Sequence, residues 1–252
     1  MGKRLGVALT TAILSLANHA SAQTPEERAV ARDLIAKHGD AVVFVLGTTK
    51  IRVNQGGKEV PNPDQRLQSL VTLLDSSGLG VMSLTALDPS DLATAQLSRG
   101  RGAGAGISVT MEASELRYRL ADGREVPVRV VLRDKELDLA FLRPVEKPSA
   151  PMAAIDTAAA KASVVDLVID LERLPEVAGW QAAVRFLSVQ AVLDKPRTVY
   201  LPNGGVAGSP VFDTRGRFVG VVLRLKNDSD AANAPFIVLP ASDIREVAKQ
   251  AN

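Results

Sequence analysis

Only two histidines, His19 and His38, and no cysteine occur among the 252 residues of the chain. The absence of cysteine excludes thiol catalysis, disulfides, iron–sulfur clusters and Cys-ligated zinc, and two imidazoles are too few for a site that needs several. Asp88-Pro89-Ser90-Asp91 and Asn227-Asp228-Ser229-Asp230 lack the spacing and the glycine of a calcium loop and read as solvated turns. Gly204-Gly205 precedes a strand pattern rather than a helix, which argues against a phosphate-cradling loop. Trp180 is a lone aromatic after Gly179 and reads as core or barrel rim. No metal and no cofactor is expected.

The elements that must position any chemistry follow from the pattern of the chain. With 46% hydrophobic and 23% charged residues there is ample material for a core, and disorder is excluded as the main state. Residues 1–22 read as an export signal: Lys3 and Arg4 precede an apolar stretch, and Ala20-Ser21-Ala22 offers small side chains at the cut. Cleavage there predicts a periplasmic or secreted protein starting at Gln23. That mature chain carries 28 basic and 28 acidic residues, so no global charge favours nucleic acid or anionic lipid. His38 is its one imidazole.

Thr24 as N-cap, the acidic pair Glu26-Glu27 and the spacing of Ala31, Leu34 and Ile35 predict a leading helix that stops at Gly39. From there Val- and Leu-rich runs bounded by Gly, Asn, Asp and Pro predict strands over 41–46, 70–74, 80–84, 107–111, 116–120, 126–132 and 139–142. After a Pro- and Ala-rich stretch, a second set is predicted over 163–167, 182–193, 198–201, 209–213, 218–225 and 236–239. The alternating Arg-Gly and Ala-Gly run at 99–106 reads as a mobile loop at the end of an insertion over 90–106. Residues from Pro240 on read as a terminal helix with cap chemistry from Ser242-Asp243. The predicted organisation is a signal peptide (1–22), a helix (23–40), a first β-barrel (41–145), a linker (146–162), a second β-barrel (163–240) and a closing helix (241–252).

Three stretches in order resemble the trypsin-fold serine proteases of the HtrA type. Leu120-Ala121-Asp122-Gly123-Arg124, with Arg133-Asp134 and Leu137-Asp138-Leu139-Ala140-Phe141-Leu142, is similar to that family's D-G-R and D-L-A-L-L run. Gly205-Val206-Ala207-Gly208-Ser209-Pro210-Val211, followed by Gly216 and Val219-Gly220-Val221, resembles its nucleophile turn and the strand after it. Val238-Leu239-Pro240 before a helix resembles the end of its protease domain. The resemblance implies an all-β fold of two six-stranded antiparallel barrels with a cleft between them, and, as the chain stops at the helix, no PDZ domain.

It also implies a test at three positions. Asp138 matches the triad carboxylate; Ala207 stands at the nucleophile, and Ala86 stands where the imidazole is expected. No residue after His38 is histidine in any register. Loss of such partners costs on the order of a millionfold in turnover, which describes a pseudoprotease rather than an enzyme. Ser209 paired with Lys226 or Lys195 is the chemical alternative, but the matching position is a turn residue, and Ser209 reads as bonding the backbone. His38, beside Gly39, reads as an imidazolium serving the carbonyls and dipole at the helix end.

The expectation is a protein that binds a peptide or protein segment without cutting it. The edge Val221-Val222-Leu223-Arg224 would add the segment as a strand, and the Gly205 and Ala207 amides, matching an oxyanion hole, would hold a carbonyl or terminal carboxylate. Two readings compete: an endopeptidase with a non-standard Ser209–Lys arrangement, and an interaction domain that uses a surface away from the cleft, such as the 90–106 insertion.

Overall fold

In a computed structural model that describes residues 23–101, 106–225 and 234–251, the first element is set by a capping box. The Thr24 hydroxyl accepts from the Glu27 amide at 3.1 Å, and the Glu27 carboxylate accepts from the Thr24 amide at 2.8 Å. Helix α1 (Pro25–His38) follows and buries Ala31 and Leu34. The predicted export segment lies outside the described residues.

The first barrel is built from β1 (Val42–Gln55), β3 (Gln65–Leu73), β4 (Gly80–Ser83), β5 (Ile107–Arg119), β6 (Glu125–Asp134) and β7 (Leu139–Pro144). The antiparallel order β1-β3-β4-β7-β6-β5 closes when β5 returns to β1. Strand β2 (Lys58–Pro61) is a hairpin arm on the far end of β1. The second barrel closes as β10-β13-β12-β11-β8-β9, from β8 (Leu167–Arg173), β9 (Ala182–Leu193), β10 (Val199–Pro202), β11 (Pro210–Asp213), β12 (Phe218–Arg224) and β13 (Phe236–Pro240). Helix α4 (Ala241–Ala248) then packs Ala241 and Ile244 inward. Its first residues carry no side-chain cap; the Ser242 hydroxyl donates to Asp243 instead.

Alternation of buried and exposed residues gives way to continuous burial where a strand has one face in its own barrel and the other against its neighbour. All of Val42–Gly47, all of β4, and β12 up to Leu223 are buried in this way. Arg173 ties the halves: from β8 it donates Nε to the Val42 carbonyl at 2.6 Å, one terminal nitrogen to Gly39 and the other to the Trp180 carbonyl at 2.7 Å. Trp180 sits at the rim, edge-on to Phe44 with Arg119 over its ring.

Four expectations change. The two strands over 107–111 and 116–120 are one strand, β5, with a bulge: Glu115 takes φ 54° opposite the register shift at Gly47, where a Cβ would lie 2.8 Å from the Ser114 carbonyl. The strand over 163–167 is displaced to Leu167–Arg173, because charged residues 170, 172 and 173 turn inward there. Most of the 90–106 insertion is helix α3 (Ser90–Arg101), which takes in the start of the expected 99–106 loop, whose residues 102–105 lie outside the described residues; the helix is started by Asp88 accepting from the Ser90 amide and fastened to β5 by Ser90 Oγ, which accepts from the Met111 amide at 2.7 Å. His38 turns away from its own helix end: its ring stacks on Phe212 at 5.6 Å, its Nδ1 is buried without a partner, and burial lowers its pKa against a hydrogen bond to the Ala154 backbone.

Candidate functional site

Strand β4 ends in Ser83, whose hydroxyl accepts from the Ala86 amide at 3.2 Å and so starts the single-turn helix α2 (Leu84–Leu87). The same hydroxyl donates to Asp138 Oδ2 at 2.6 Å. Asp138 lies in the turn before β7 at φ 58°, a left-handed conformation that Asp tolerates better than most residues, and is 4% exposed. Oδ1 accepts the Thr85 amide at 2.7 Å, and Oδ2 also accepts the Arg224 amide at 2.9 Å. The Asp138 carbonyl takes the Leu84 amide at 2.8 Å. One carboxylate thereby fixes α2 and pins β12 of the second barrel to the first. Ala86, partly buried, offers a methyl group beside this network.

The turn before β11 is clamped from both barrels. The Gly208 amide donates to the Val222 carbonyl at 2.8 Å, the Val222 amide to the Ser209 carbonyl at 2.9 Å, and the Thr72 hydroxyl to the Gly208 carbonyl at 2.8 Å. Gly208 is at φ 91°, and a Cβ there would stand 2.1 Å from the Leu70 carbonyl, so glycine is required twice over. Ser209 is fully buried and its hydroxyl donates to the Val206 carbonyl at 2.6 Å. Lys195 is exposed on the loop between β9 and β10, so the structure does not bring it to Ser209; Lys226 lies outside the described residues. Gly205, at φ 125°, and Ala207 are partly buried at the top of the turn.

The Val221–Arg224 stretch is an interior strand, not an open edge. It pairs with β13 along its length, and Val222 spends both backbone groups on the turn. The Leu225 amide donates to the Pro235 carbonyl, which sets the pairing phase: Leu223 faces Ile237, whereas Arg224 turns its amide to Asp138. The group that this phase aims toward the cleft is the Arg224 carbonyl. Beside it a cavity of about 650 Å³ is lined by Leu84, Thr85, Arg133, Asp138, Arg224 and Leu225 among others. Arg133 and Lys135 at its border are exposed.

The sequence reading missed Asp170. This β8 residue is 0% exposed, lies opposite Val211 in the β11 register, and has neither carboxylate oxygen hydrogen-bonded. Oδ2 is 3.7 Å from where a Cβ on Gly205 would stand, directly under the turn. Burial pushes its carboxyl up to about 7. An acid inside the apolar run Val168-Ile169-Asp170-Leu171 was the available signal.

Two closed antiparallel six-stranded barrels with a carboxylate and a glycine-rich turn at their junction define a trypsin-fold chain. A family model described as a trypsin-like peptidase domain matches residues 97–221, which include Asp138 and the 205–209 turn. Among solved structures, the chain is similar to a serine-to-alanine variant of the HtrA-type protease AlgW with a decapeptide, at 16% identity and a TM-score of 0.57, covering 87% of this chain and 65% of that one. The same variant with a tripeptide gives 16% identity and a TM-score of 0.54, covering 87% of this chain and 62% of that one. The chain thus spans less than two thirds of the length of these HtrA-type relatives. No curated protein sequence matches.

Proposed function

We propose that the chain is an exported, non-hydrolysing trypsin-fold protein that holds a peptide or protein segment at the cleft between its barrels. The carrying observation is the commitment of Asp138 to Ser83, Thr85 and Arg224 in a chain with Ala207 in the turn and no histidine beyond residue 38. A triad needs an attacking oxygen and an imidazole oriented by the carboxylate. Here Asp138 serves as a joint between barrels, and the serine nearest the turn apex is buried and bonded to backbone. The 1–22 segment supports export.

The commitment of Val222 and the Arg224 amide alters the mode of binding from edge addition to insertion beside Asp138. The cavity there falls in the size range that holds a few side chains, its walls are partly apolar, and the Arg224 carbonyl supplies a backbone acceptor. Peptides bound in the two similar HtrA-type structures are consistent with this use of the fold. The test incubates purified protein with fluorescein-labelled denatured casein, following anisotropy and cleavage together, alongside a fluorophosphonate probe. Saturable anisotropy with no cleavage and no labelling is expected. Turnover with labelling that disappears in Ser209→Ala overturns the reading in favour of the Ser209 arrangement.

A further inference from the structure

The 205–209 turn is clamped from both barrels at one end and is entered through two glycines at the other. Gly208 and Ser209 are held by Val222 and Thr72, whereas the segment before them begins with Gly204 at φ 159° and Gly205 at φ 125°. Glycine at both places lets the peptide planes ahead of Val206 reorient at little steric cost. Beneath this glycine-led end stands the Asp170 carboxyl, fully buried, with both oxygens unpartnered. A buried carboxylate without donors is far costlier than a buried carboxylic acid, so the site selects the protonated form until donors are turned to it.

Donors are within reach. The Ser209 hydroxyl and the Val206 backbone lie near enough to favour the ionised form, yet Ser209 Oγ is donated to the Val206 carbonyl. The charged groups that face Asp170 are Glu172 on its own strand and Arg185 opposite on β9, which bond each other at 3.1 Å. On its other sides β11 and β12 present Val211 and Val222. Burial first, and Glu172 in addition, push the Asp170 carboxyl up to about 7, against the pull of Ser209, Arg185 and Val206. Its two forms are therefore both accessible in ordinary buffers.

We propose that Asp170 sets the charge selectivity of the 205–209 turn: as an acid it leaves the Gly205 and Ala207 amides to a ligand oxygen, and as a carboxylate it draws the turn's donors inward and repels anionic ligands. Ionisation releases one proton to solvent, the Ser209 hydroxyl rotates from the Val206 carbonyl to Asp170, and the hinge at Gly204-Gly205 follows. A carboxylate ligand, such as a chain terminus, is then held at acid pH and released above neutrality, while an uncharged carbonyl is affected less. This assignment rests on the segment-binding reading for its ligand, but the switch itself does not.

The experiment is an NMR titration of the labelled protein from pH 5 to 9, reading the Asp170 carboxyl carbon and the backbone amides of Gly205, Ala207 and Ser209. The expected result is an Asp170 midpoint near neutrality, with the three amides shifting at the same midpoint. An Asp170 midpoint in the ordinary carboxylate range, or flat amides while Asp170 titrates, overturns the switch. N-acetyl-leucine and its uncharged amide are then added at pH 6 and pH 8. As the acid form falls from about nine tenths to about one tenth, the apparent affinity for the carboxylate probe drops about tenfold, and the drop vanishes in Asp170→Asn. Should Asp170 titrate as expected while neither probe moves the amides, the ligand assignment and the segment-binding reading fail and the switch stands. The wild-type titration decides the switch even if Asp170→Asn does not fold.

Discussion

The Ser83 hydroxyl and the Asp138 carboxylate are joined at 2.6 Å, and both residues are almost without solvent exposure. Ser83 also receives the Ala86 amide, so one side chain couples the start of α2 to the junction of the barrels. Replacing it by alanine removes a donor from a buried carboxylate and strips a cap from α2. Ser83→Ala is expected to lose about 2 kcal/mol of stability in urea unfolding, and Ser83→Thr to recover most of it. A loss within the scatter of surface substitutions contradicts the role given to this pair.

Arg173 differs from most arginines of the chain in that its side chain is 6% exposed and its hydrogen bonds end on backbone carbonyls of Val42, Gly39 and Trp180. Asp40, 3.6 Å away, is itself exposed and offsets little of the buried charge. Arg173→Met leaves those carbonyls unpaired at the seam between β8 and the start of β1. A destabilisation of about 3 kcal/mol is expected, against about 0.5 kcal/mol for Arg66→Met, whose side chain is 60% exposed beside a similarly exposed Glu176. Parallel denaturation curves of the two variants decide it, and equal shifts contradict the seam argument.

These buried charges also explain what the sequence concealed. β9 was readable to its boundaries as Ala182–Leu193, because its apolar residues are strung along an uninterrupted strand pattern. β8 was not, because Asp170, Glu172 and Arg173 look like turn chemistry, and only the tertiary structure supplies the partners that let Glu172 and Arg173 face inward. The bulge at Glu115 made β5 read as two strands, since a register shift breaks the alternation that identifies a strand. The site was legible where it depends on residue order, as at Asp138 and Gly205–Ser209. It was illegible where it depends on phase: that Val222 and Arg224 turn their amides toward the Ser209 carbonyl and Asp138 follows from pairing with β13, which no local pattern encodes.

Gly208 and Gly56 separate two reasons for glycine. Both have positive φ, 91° and 59°, but a Cβ at Gly56 meets nothing within 4 Å, whereas at Gly208 it meets the Leu70 carbonyl at 2.1 Å. Gly56→Ala is expected to cost about 1 kcal/mol, from backbone strain alone. Gly208→Ala must push the turn off β3, with a cost of more than about 3 kcal/mol and loss of the Thr72 bond. Thermal unfolding of the two variants checks the order; a Gly208→Ala protein as stable as Gly56→Ala contradicts the clamp.

Two groups give the stability of the protein opposing pH slopes. Asp170 has its pKa raised from 3.8 to about 7, so between these values the folded state holds a proton that the unfolded state has released. Its contribution is complete below the unfolded value and is lost as pH rises through about 7. His38 is shifted downward from 6.5, mainly by burial, so the unfolded state takes up the proton first and stability falls as pH drops below 6.5. Lys37 adds to this lowering, while the Ala154 backbone and Asp156 oppose it. Asp170→Asn is therefore expected to gain on the wild type steadily from pH 4 to pH 8, and His38→Leu to gain on it as pH falls from 7 to 5. Urea unfolding at each pH separates the two, because the variants change opposite limbs of the profile; an Asp170→Asn advantage that shrinks toward alkaline pH contradicts the raised carboxyl.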